Sequence, residues 1–141
     1  MKTSKNEPVE YSIDTAFTED DIVSLYESCQ WSSAKKPQEL HRALLGSHSV
    51  VSAWIGTRLV GLGNAISDGH LVVYYPHLLV HPDFRSRGIG REIVQRLQRI
   101  YDGFHQHMIT ADRDAIPFYE KQGFCRAGKT EPMWIYSGGD H

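Results

Sequence analysis

Residues 70–100 constrain this chain more than any other stretch. The apolar run "HLVVYYPHLLV" passes directly into "HPDFRSRGIGREIV", where Arg85, Arg87 and Arg91 surround Gly88 and Gly90. Ile89, Ile93, Val94, Leu97 and Ile100 then recur at helical spacing. The strand-like segment "HQHMITA" follows. A strand, a helix and a second strand in that order imply a crossover with parallel pairing. Pro76 interrupts the first run, and proline cannot donate to a sheet ladder, so a bulge or an edge is expected there.

The flanking segments fill in a mixed architecture. "FTEDDIVSLYESC" opens with Thr18-x-x-Asp21, a capping-box start, and Ile22, Leu25, Tyr26 and Cys29 form a helical face. After the polar segment "QWSSAKKP", Pro37 begins a second helix carrying Leu40, Ala43 and Leu44 and stopped by Gly46. "SVVSAWI" and "LVGLGNAIS", around Gly56-Thr57-Arg58, read as a hairpin. "AIPFYEKQ" reads as a short helix closed by Gly123, and "MWIY" as a last strand. The expected order is helix, helix, three strands, helix, strand, helix, strand: an α+β or mixed α/β fold in one domain over residues 1–141.

Composition narrows the function. A net charge of −2 over 141 residues provides no global basic footprint for nucleic acid. No apolar run approaches the roughly 18 residues of a membrane span. "MKTSKNEPVEYSI" lacks a signal-peptide core. Cys29 and Cys125 form no CxxC pair and read as reduced thiols of a cytoplasmic protein. His105-x-His107 would share a strand face, but no cysteine or carboxylate cluster lies nearby in sequence, so no metal is expected.

A glycine loop at a helix start brings backbone amides close to an anion, and arginines beside it add bidentate contacts to phosphate oxygens. The plainer alternative is a strand-to-helix turn with solubilising arginines. The loop matches neither a Walker A motif nor G-x-G-x-x-G.

Arg85-x-x-Gly88-x-Gly90 after "LLVHPDF" resembles the acetyl-CoA-binding motif of the GNAT acetyltransferase superfamily, and "AIPFYEKQGF" resembles that superfamily's second motif. "LYESCQW", "ALLGSHSVVSAWIGTRLVGLGNAISDG" and "TADRDAIPFYEKQGF" are similar to small bacterial relatives of plant serotonin N-acetyltransferases, over roughly residues 20 to 127. The resemblance implies a mostly antiparallel central sheet, splayed at the cofactor site and flanked by helices. It implies acetyl-CoA as acetyl donor, with the backbone of Leu78, Leu79 and Val80 pairing with the pantetheine arm. Arg85, Ser86, Arg87, Gly88, Ile89, Gly90 and Arg91 would meet the phosphates. Asp112 stands where many members have Asn; an acid there donates no amide N–H to the cofactor.

Acetyl transfer needs a deprotonated amine, a polarised carbonyl and a proton for the departing thiolate. Tyr119 holds the position where the superfamily often places its general acid, and a phenol remains protonated at neutral pH; alternatively its ring only packs the turn. His77, on the cofactor strand, is the candidate base, with a strand histidine of no chemical role as the equal alternative. Trp31 and Tyr74, with Tyr75, are candidates to line an aromatic acceptor pocket, although a lone tryptophan is commonly a core anchor. The expected enzyme is an N-acetyltransferase acting on a small primary amine, and a homodimer is compatible with it. The alternatives are a protein or peptide N-acetyltransferase and a non-catalytic acyl-CoA-binding sensor.

Overall fold

The computed structural model describes residues 7–138. Its centre is a six-stranded sheet in the order β1-β2-β3-β4-β6, with β5 also paired to β3. The strands are β1 (Glu10–Ser12), β2 (Ser49–Ile55), β3 (Arg58–Ser67), β4 (Val72–Tyr74), β5 (Leu78–Val80) and β6 (Gln106–Met108). Pairing is antiparallel except between β4 and β6. That parallel pair is joined by α3 (Ile89–Ile100), as the strand–helix–strand order requires. The mixed, mostly antiparallel sheet flanked by helices is the architecture the sequence implied.

α1 (Glu19–Ser28) starts on the expected capping box, with Thr18 and Asp21 each accepting the other's backbone N–H. α2 (Pro37–Leu45) follows a single 3-10 turn, Ser32–Lys35, within the segment read as a polar loop. These helices cover one sheet face, where Ile22, Leu25, Tyr26, Leu40 and Leu44 pack with Val50, Leu62 and Leu79. α3 covers the other, placing Ile89, Ile93 and Leu97 against Val51, Ala53, Val60 and Val73. Gly61 and Gly63 of β3 let α3 lie directly on the strand. A Cβ on Gly63 would stand 2.7 Å from Ile93 Cγ2, closer than carbon atoms approach.

The apolar run 70–80 becomes two strands, not one. β5 sets Leu78 opposite Gly63, and β4 sets Tyr74 opposite Ile66. The chain from 74 to 78 therefore holds one residue more than its partner segment, a β-bulge centred on Pro76. Asn64 fastens it. Its backbone N–H donates to the His77 carbonyl at 3.2 Å. Its side-chain Oδ1 accepts the His77 N–H at 3.0 Å, and its Nδ2 donates to Ser47 Oγ.

Two expectations fail. β1 went unforeseen, because "EYS" is too short to show a period. The strand expected at "MWIY" does not form: residues 131–138 carry no helix or strand, and Met133, Trp134 and Ile135 are exposed. A strand needs an edge to pair with. Here Trp134 stacks on Tyr136, with ring centroids 4.4 Å apart, and Tyr136 Oη reaches Ser32 Oγ at 3.2 Å.

Candidate active site

The bulge gives the two half-strands different surroundings. β4 is paired on both sides, by β3 and β6, while β5 is paired by β3. The His77 carbonyl and the His81 N–H both bond to β3, so alternation turns the N–H and C=O of Leu78 and Val80 toward the other edge and those of Leu79 toward Leu62. Beyond that edge a narrow apolar cleft opens between β5 and the end of β6. His77, Leu78 and Tyr75 line it from the split strand, Val94 and Leu97 from α3, and Ile109, Tyr119 and Phe124 from the far wall. His77 and Tyr119, the two residues singled out for proton transfer, both line this cleft, with the His77 ring turned toward Tyr26 and Trp31 on the α1–α2 side.

The loop at its mouth has unusual backbone geometry. Ser86 and Gly88 both lie in the left-handed region, with φ of 68° and 78°. Glycine adopts this conformation freely, whereas for serine it is uncommon and strained, a feature that concentrates at functional sites. Gly88 is the N-cap of α3, and no side chain caps the helix start, so its first-turn amides face the loop with their partial positive charge. Arg91 folds over Gly88, its Nη2 3.2 Å from where a Cβ would stand. The other arginines are already engaged: Arg87 Nη2 donates to the Glu7 carbonyl at 2.8 Å, and Arg85 Nε donates to the Val80 carbonyl at 3.2 Å. Gly90 sits deeper, between Val80 and Phe118.

Tyr119 projects from α4 (Ile116–Lys121), with its ring edge-on to Phe118 and Phe124. Burial pushes its phenol up to about 12, and the Asp112 carboxylate adds to the shift. The proton therefore stays on Tyr119 throughout the neutral range. Asp112 acts here on the phenol through its charge.

Across the sheet from α3, His77 meets an aromatic group. Its ring lies edge-on to Trp31 at 5.1 Å and to Tyr26 at 5.5 Å, and its Nδ1 is 2.7 Å from Tyr26 Oη. Trp31 is half-buried, so it both packs on the α1–α2 core and borders this group. Tyr75 is buried under α3, bonded to His107 Nδ1 at 2.7 Å, whereas Tyr74 is exposed and does not line this cleft. No group of three or more metal-ligating side chains occurs among the described residues. No helix among them is long and apolar enough to cross a membrane.

Tyr26, Asn64 and the glycines of β3 escaped sequence reasoning. Tyr26 reads as one more apolar position of an amphipathic helix. Asn64 offered the better signal: an amide inside the apolar run "LVGLGNAIS" must find partners if that strand is buried.

A splayed sheet, an uncapped helix start behind a glycine loop and a buried phenol in the cleft between them define an acyltransferase-like site. The acetyltransferase (GNAT) domain model matches residues 13–132, and the chain belongs to that family. It is 29% identical over 113 residues to an uncharacterized N-acetyltransferase, ycf52, of Porphyra purpurea. That match covers 75% of this chain and 64% of the relative, so the chain spans less than two thirds of that relative's length. A structure from Deinococcus radiodurans described as an acetyltransferase superposes with a TM-score of 0.80 at 26% identity, covering 96% of this chain and 92% of that one. A GNAT-family protein of Streptococcus pneumoniae superposes equally well, with a TM-score of 0.80, covering 92% and 98% of the two chains. At 22% identity that second likeness speaks for the fold alone.

Proposed function

We propose that this protein is an acetyl-CoA-dependent N-acetyltransferase that acts on the primary amine of a small molecule. One observation carries the reading: the unpaired edge of β5 and the protonated Tyr119 face the same cleft. The residues fit the donor. Leu78 and Val80 offer backbone groups at the spacing of a strand to a pantetheine arm, whose amides can pair as a neighbouring strand would. The α3 amides with Ser86, Gly88 and Arg91 offer an anion site to the pyrophosphate. Bound acetyl-CoA would supply the activated acyl group.

Within that frame Tyr119 donates its proton to the departing sulfur, and its burial keeps the proton available. The amine proton has two exits, the His77 imidazole and a chain of water molecules. Trp31, half-buried beside His77, offers the acceptor side an apolar ring, which favours an amine carrying an aromatic or apolar body. This agrees with the resemblance to relatives of plant serotonin acetyltransferases. Tyr119 weighs against a sensor without turnover, since binding alone needs no buried acid.

Free thiol release from acetyl-CoA, measured against a panel of arylalkylamines, polyamines, amino acids and peptides, tests the proposal. Turnover is expected with the aromatic amines first. Release with peptides only would make the protein a peptide acetyltransferase. Binding of acetyl-CoA without release to any amine would leave it a sensor.

A further inference from the structure

We infer that Tyr26 is a positioning residue for His77: its phenol donates to Nδ1 and so holds the neutral imidazole as the Nε2–H tautomer. Its importance for catalysis rests on the acetyl-transfer reading, whereas the geometry stands independently of that reading.

The reasoning starts from Tyr26, which is completely buried on α1. Among the described residues the hydrogen-bond partner of its Oη is His77 Nδ1, at 2.7 Å. A buried hydroxyl holds one proton, and leaving it without an acceptor is costly. Were Nδ1 protonated, its N–H would take the Oη lone pair and strand the phenol proton in an apolar shell that includes Leu25 and Trp31. With the proton on Nε2, a single O–H···N bond satisfies both groups. Ionisation offers no escape, because burial pushes the Tyr26 phenol well above its ordinary value and Cys29 adds to the shift. Tyr26 therefore lacks the charge with which a carboxylate would favour an imidazolium.

The ring cannot easily turn away from this bond. Trp31 and Tyr26 both pack edge-on against it, and Asn64 pins the His77 backbone through both its N–H and its carbonyl. In this tautomer Nε2 carries a proton and has no lone pair to offer an ammonium. Of the two exits for the amine proton, the water chain is the one this arrangement leaves open.

The tautomer is read by imidazole ¹⁵N chemical shifts of the selectively labelled protein at alkaline pH, with no turnover required. The wild type is expected to show bare Nδ1 and protonated Nε2. Tyr26→Phe, which keeps the ring packing, should shift the ratio toward Nδ1–H by about tenfold. A wild-type spectrum with protonated Nδ1, or a ratio unchanged in Tyr26→Phe, overturns the inference whatever the enzyme's substrate. Kinetics then test the consequence, because glutamine cannot act as a base. His77→Gln should keep the rise of kcat/KM with pH. A limb abolished in that variant would restore His77 as the base and overturn the inference.

Discussion

β4 and β5 descend from one apolar run, yet one is an interior strand and the other an open edge. β4 lies between β3 and β6, and its buried Tyr75 neighbour is tied to His107. β5 differs by one extra residue at Pro76 and by the side chain of Asn64 standing in for a backbone carbonyl. The difference teaches that the wedge between the half-strands is a local defect held in place by a polar clamp. The surrounding fold supplies two well-packed faces for it. A bulge usually re-aims one side chain or ends a pairing. This one does both, turning the His77 ring onto Tyr26 and Trp31 and leaving the outward backbone groups of Leu78 and Val80 off the β3 ladder.

The largest effect expected on the open half is chemical. Tyr119→Phe should lower kcat on the order of a hundredfold and leave acetyl-CoA affinity nearly unchanged, as measured by stopped thiol release and calorimetry. Wild-type turnover in that variant would make the tyrosine a packing residue. Asn64→Ala attacks the clamp itself. It strands the His77 N–H, so unfolding in urea should show a loss of about 1–3 kcal/mol. Acetyl-CoA affinity should fall with it, because the edge of β5 is no longer fixed. On the closed half, His107→Ala removes the hydrogen bond to Tyr75 and should cost about 1 kcal/mol while acetyl-CoA affinity is maintained. If the two variants lowered affinity alike, the contrast between the half-strands would have no functional content.

The smallest effect lies at alkaline pH. The folded-state value of Tyr119, about 12, exceeds that of an unfolded phenol, about 10. The folded chain binds the proton more tightly, so this contribution to stability is whole below pH 10 and is lost as pH rises from there to about 12. Urea midpoints of the wild type should fall across that window more steeply than those of Tyr119→Phe.

Much of this was legible before any coordinates. The capping box, the bulge at Pro76 and the crossover helix follow from residue types at readable spacings, whereas His77 and Tyr119 are singled out through the family resemblance. What escaped has a common cause. Tyr26 and Asn64 act through partners 51 and 13 residues away, and a local period carries no record of such pairings. Tyr74 and Tyr75 show the limit in miniature. Alternation requires them to face opposite ways, but the inward one is decided by the register with β6. "MWIY" failed because apolar content alone does not provide an edge.

The Val80 carbonyl has a consequence for the heat of binding. It already accepts from Cys29 Sγ at 3.3 Å and from Arg85 Nε at 3.2 Å, which fills both of its lone pairs. An incoming pantetheine amide must displace one of these donors, so hydrogen bonds are exchanged in number without net gain. The enthalpy of association should then be small at that contact, with desolvation of the apolar cleft supplying the drive. A negative heat-capacity change in titrations at several temperatures is its signature. The displaced thiol or guanidinium becomes available at the same moment, so the cleft holds a different set of donors once filled than it does when empty.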